Sequence, residues 1–167
     1  MPADAPPTDP VDYIARTRER YEALGFAPYR WVQDTSQPAW APLAKPLHEC
    51  KVGLIGSGGV YVVGQEAYHY CDDVSYRLIP TNTASSDLRI THFAYDVRDA
   101  RVDPNCVLPL WPLRRLAEQG HIGSVADEAF SFVGGIYSAR RCRDELAPQL
   151  VARIIEQGCD IALLVPV

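Results

Sequence analysis

Three small groups of residues have the types and spacing to do chemistry. The first is His92 with Tyr95 and Asp96 close behind it. An imidazole titrates near neutrality and can take or give a proton, and Asp96 or Asp99 can orient its ring. The same stretch also reads as solvated charge, because Asp96/Arg98 and Asp99/Arg101 can pair in water. The second group, Gly56, Ser57, Gly58 and Gly59, follows the apolar run Cys50 to Ile55. Glycines let backbone N–H groups approach an anion closely, so the turn can cradle a substrate anion. It can equally be a structural turn, since Tyr61 stands where GxGxxG needs its last glycine and no GK[ST] follows. The third group is Ser131 with Gly134 and Gly135, a second glycine turn read as substrate- or anion-binding. Neither Ser131 nor Ser138 lies in GxSxG, which argues against a serine nucleophile.

The five cysteines, at positions 50, 71, 106, 142 and 159, form no CxxC and read as free thiols. Cys71 and Cys106 are the candidates for a fast thiol should the chemistry be complete within these residues. His69 and Cys71 stand two apart, as on one side of a strand, but without further clustered ligands no metal site is read. Sixteen basic and twenty-one acidic residues leave a net charge of -5, which argues against a general nucleic-acid binder, although Arg140, Arg141 and Arg143 form a local patch. No apolar run approaches the roughly 18 residues that span a bilayer, and the start lacks the basic and apolar regions of a signal peptide. The expectation is a cytoplasmic protein with no membrane or nucleic-acid partner.

The elements that must position these groups follow from periodicity. Asp160 to Val167 is apolar without alternation, the pattern of a strand buried on both faces of a parallel sheet. Leu146, Leu150 and Ile154 place a helix over 143–157, closed by Gly158. Strands are expected at 50–56, 76–80 and 88–94, with a short extension at 60–63. Helices are expected at 11–24 and 107–120. Prolines at 28, 38, 42 and 46 mix with Tyr29, Trp31 and Trp40, which predicts an irregular aromatic cover packed on the domain or on a partner. The chain thus divides into a loose arm (1–10), a helix and proline-aromatic cover (11–47) and an α/β domain (48–167). The fold class is a three-layer α/β domain with a mainly parallel, Rossmann-like or flavodoxin-like sheet, open at its final strand. Ligands in such sheets bind beyond the carboxyl ends of the strands.

Lys51-Val-Gly-Leu-Ile-Gly-Ser-Gly-Gly, Ser75-Tyr-Arg-Leu-Ile-Pro, Asp87-Leu-Arg-Ile-Thr-His, Tyr95-Asp, Ile122-Gly-Ser, Ser131-Phe-Val-Gly-Gly and Asp160-Ile-Ala-Leu-Leu-Val-Pro-Val together resemble the glycine/sarcosine/betaine/D-proline reductase family, selenoprotein B type. The likeness runs from about residue 11 to 167. It implies a reductase that cleaves a carbon–nitrogen bond of a small amino acid or betaine-like substrate, using a selenocysteine or cysteine in a UxxC or CxxC-like motif. The partners implied are other reductase subunits or a dithiol, thioredoxin-like electron donor, and a homo-oligomer is possible. No bound cofactor is expected. The resemblance also implies that the terminal strand leads into the redox motif, so the codon after Val167 is expected to be UGA, meant for selenocysteine. The other reading is a non-catalytic α/β binding or assembly module that lacks the motif.

Overall fold

The computed structural model describes residues 12–28, 32–33 and 35–167. The expected arm at 1–10, and Tyr29 and Trp31 of the aromatic cover, lie outside the described residues. Two compact units divide between Pro38 and Ala39. In the first, α1 (Tyr13–Ala23) starts where Asp12 accepts a hydrogen bond from the Ala15 amide, an N-cap that satisfies one orphan donor.

In the second unit, β1 (Lys51–Gly56) is the centre of the sheet. On one side it pairs in parallel with β5 (Ser124–Val125) and then with β6 (Glu128–Ser131), while β7 (Ile161–Val165) runs parallel along the other side. β3 (Arg77–Pro80) joins β6 antiparallel, so the sheet is mixed and mostly parallel. Antiparallel β2 (Val60–Val62) and β4 (Leu88–Ile90) form a separate ribbon. The strands expected at 76–80 and 88–94 are therefore present in shorter form, and the 60–63 extension is β2.

Each face of the sheet carries a helical layer. On one, α3 (Leu110–Glu118) buries Leu110 and Leu113 with Val52, Leu54 and Leu108. On the other, α5 (Ala147–Glu156) places Leu150 beside Leu146 against Phe130. Between α4 (Ala139–Arg141) and α5 the chain makes a π-helical turn over Cys142–Leu146, immediately before Pro148 removes a backbone donor. α2 (Arg98–Val102) follows the polar stretch after β4.

One expectation is corrected. β7 is not buried on both faces: among the described residues it pairs with β1 alone, and Leu163 and Leu164 are 38% and 65% exposed. An unbroken apolar run records that a strand is made to be covered, but not that the cover lies within the same residues. Trp40 of the expected aromatic cover, read as packing on the domain or on a partner, is 88% exposed.

Candidate active site at the carboxyl ends of the sheet

The three parallel strands β1, β6 and β7 end side by side, at Gly56, Ser131 and Val165. The first glycine turn leaves β1 here and is stitched to both neighbours. The Ser57 amide donates to the Val165 carbonyl (3.0 Å), and the Gly59 amide donates to the Phe132 carbonyl (2.9 Å). A Cβ on Gly56 would stand 2.9 Å from Leu108, and one on Gly58 would stand 2.8 Å from Val107, so both glycines are required for close packing. Gly59 has φ +70, and a side chain there would land on the Thr91 carbonyl, which is where β2 turns back toward the end of β4.

Ser57 is the hinge of the arrangement and is almost fully buried. Its hydroxyl accepts from the Val167 amide (2.9 Å) and its carbonyl accepts from the Gly134 amide (2.9 Å). The chain leaving β7 is thereby clamped against the second glycine turn: a Cβ on Gly134 would meet both Ser57 and the Val167 carbonyl at 3.3 Å, whereas Gly135 faces open space. Ser131, completely buried, accepts from the Val60 amide through its hydroxyl (2.8 Å) and from the Tyr68 hydroxyl through its carbonyl (2.7 Å). That Ser131 hydroxyl holds the fold and is not presented to a ligand. Burial drives the Tyr68 phenol far above its ordinary range, so it remains a neutral donor.

His92 lies across the same site. The Gly134 amide stands 3.2 Å from its Nε2 and the Ala94 amide 3.1 Å from its Nδ1. A neutral imidazole has one nitrogen lone pair, so it accepts from one of these donors at a time. The Gly134 proton already has the Ser57 carbonyl, which leaves Nδ1 accepting from Ala94 and Nε2 carrying the proton. Burial pushes His92 below the ordinary imidazole value, opposed by the Ser57 carbonyl, which favours a protonated ring. The ring is therefore neutral at physiological pH. Tyr95 packs on it at a centroid distance of 4.5 Å and donates to the Gly58 carbonyl (2.9 Å), with burial pushing its phenol up to about 12.

Of the residues read from sequence, Gly56, Ser57, Gly58, Gly59, His92, Tyr95, Ser131 and Gly134 converge here. Asp96 does not join them. Its exposed carboxylate is held by the Arg98 side chain and amide, well below the usual carboxylate range, and it makes no bond to His92. The Arg two positions on competes better for a surface carboxylate than a half-buried neutral ring. Cys106 sits in the electrostatic neighbourhood of Tyr95, but burial, then Asp103 and Asp99, push its thiol upward, opposite to activation. The sequence reading missed Tyr68 and the Val167 amide, whose roles come from backbone geometry with no motif to mark them.

An aromatic rim borders the site: Phe93, next to His92, makes an edge contact with Tyr70 (6.3 Å), and both are exposed. A cavity of about 440 Å³ opens nearby, lined by His69, Cys71, Asp72, Asp73, Arg77 and Arg141 among others, but not by His92 or Ser57. Its polar groups are largely committed: Asp72 accepts from the Tyr137 and Ser138 amides, and Arg141 donates to the Asp72 carbonyl. The site at the strand ends is thus a surface shelf.

The fold is that of an α/β protein whose candidate site groups stand at the carboxyl ends of parallel strands. Residues 32–166 match the glycine/sarcosine/betaine reductase selenoprotein B family, and the chain belongs to that family. It is also similar to D-proline reductase subunit gamma of Acetoanaerobium sticklandii, at 31% identity over 134 residues, covering 80% of this chain and 55% of the relative. The chain therefore spans about half the length of that relative. No solved structure matches it.

Proposed function

We propose that this chain is a subunit of a selenol- or thiol-dependent reductase that cleaves a C–N bond of a small amino acid or betaine-like substrate. Reaction would take place on the shelf formed by Ser57, His92, Tyr95 and Gly134. The observation that carries the reading is the clamp at the end of β7: Ser57 holds the Val167 amide and so directs the polypeptide leaving that strand past Gly134 toward His92.

The redox group would be a selenocysteine or cysteine outside these 167 residues, on the continuation of β7 or on a partner subunit. The residues present fit such a group. Gly135 leaves space, and the neutral imidazole beside the strand end carries its proton on Nε2, from where it can donate to a selenolate or thiolate. When present, that group would supply a nucleophile and, together with the second cysteine of its UxxC or CxxC-like motif, two reducing equivalents. His92 would hold its Nε2 proton toward that group, and Tyr95 would fix the ring by packing against it. Tyr70 and Phe93 offer aromatic faces for an ammonium group, an arrangement worth about 0.5–2 kcal/mol for a cation.

Titration of the protein with glycine, sarcosine, betaine and D-proline, followed by amide and imidazole NMR shifts at His92 and Gly134, tests the substrate assignment. At least one should move both residues; binding by none overturns it. The second reading, a non-catalytic assembly module, is favoured by the upward-shifted Cys106 and Cys159 thiols. Thiol titration checks it: one fast-reacting cysteine within these residues would defeat both readings.

A further inference from the structure

The outer edge of β7 is built to be covered. Alternation along a strand turns successive backbone groups to opposite sides. The Val165 carbonyl and Val167 amide both face β1 and its turn, so the N–H and C=O groups of Ala162 and Leu164 face outward. Among the described residues no strand pairs with them. Ile161 to Val165 contains no charge, proline or bulge, and thus none of the devices by which exposed edges discourage pairing. The side chains agree: Leu164 is 65% exposed, and α5 leaves Ile155 at 69% and Val151 at 56%. Parallel strands are ordinarily buried on both faces under helices.

We propose that β7 carries a further parallel strand with its covering helix, contributed by reductase polypeptide corresponding to the part of the D-proline reductase gamma subunit that this chain does not match. Three observations favour this occupant over a second copy of the chain. The unmatched portion of the relative is large, since the match covers 55% of its length. Every β1 neighbour within the central sheet is parallel, and a two-fold-related copy would have to pair β7 antiparallel. Finally, a parallel neighbour of β7 ends at the same edge as Gly56, Ser131 and Val165, and would wall in the shelf that these residues leave open. The inference rests on family membership and not on the substrate assignment.

A photo-crosslinking amino acid placed at Leu164, and separately at Ile155, in the protein expressed in its own host tests this. Both sites are exposed, so the substitutions leave the core intact; Val102, 88% exposed on α2, serves as control. Both positions should crosslink to reductase polypeptide whose sequenced peptides resemble the unmatched part of the relative, with none at Val102. In the same complex, hydrogen exchange at the Ala162 and Leu164 amides should slow at least about tenfold against the isolated chain. Leu164→Lys with Ile155→Glu should abolish crosslinking from Val151. Crosslinks to a second copy, to an unrelated protein or to nothing overturn the proposal. Failure of substrate binding with successful crosslinking would leave it standing and fell only the substrate reading.

Discussion

At the level of single residues, Ser131, Gly59 and His92 carry different risks. Ser131→Ala leaves the Val60 amide buried without its acceptor, a loss of about 1–3 kcal/mol in urea unfolding. Gly59→Ala forces a side chain into a left-handed backbone and onto a carbonyl, and should cost about 2–5 kcal/mol. His92 gives a pH signature. Its folded-state pKa lies below the unfolded value, so the unfolded chain binds the proton more readily. The stability it contributes is complete above about pH 6.5 and is lost as pH falls from there toward the folded-state value, where the loss levels off. Between about pH 7.5 and about pH 5.5, His92→Gln should therefore lose less melting temperature than the wild type; equal losses would show that the ring is not held neutral. Asp96 was legible as a carboxylate near His92, but not as one claimed by Arg98, because sequence spacing does not tell which neighbour a surface carboxylate prefers.

Among the elements, the contact of α5 with β1 is the tightest to probe. A Cβ on Gly53 would lie 2.5 Å from Ile154 Cδ1 and 3.1 Å from the Cys159 sulfur. Gly53→Ala should destabilise by about 1–3 kcal/mol, and adding Ile154→Val should restore part of the loss, a coupling that a double-mutant cycle measures directly. Additive effects would mean that the helix moves away instead. The strands β1, β3, β4 and β7 and the helices α1, α3 and α5 were readable from apolar runs and from spacings of three and four, whereas α2, in a polar stretch, was not. The place of β7 was not, since periodicity reports how much of a strand wants covering and never names its neighbours. The separate β2–β4 ribbon was equally hidden, depending on the turn at Gly59 and on pairing across about thirty residues of sequence.

For the molecule as a whole, the convergence of two glycine turns with His92 was legible because open α/β sheets bring the residues just past their parallel strands to one edge. The clamp by Ser57 was not, since it joins positions 110 apart through a backbone amide. The central strand has a further consequence for synthesis. β1 emerges from the ribosome early, yet the neighbour on its far side begins at Asp160, which accepts from the Lys51 amide across a separation of 109 residues. A nascent chain must therefore carry its central strand half-paired while the 109 residues that separate Lys51 from Asp160 are made, exposed to misassociation throughout. Ribosome-bound chains stopped before β7 should accordingly recruit chaperones.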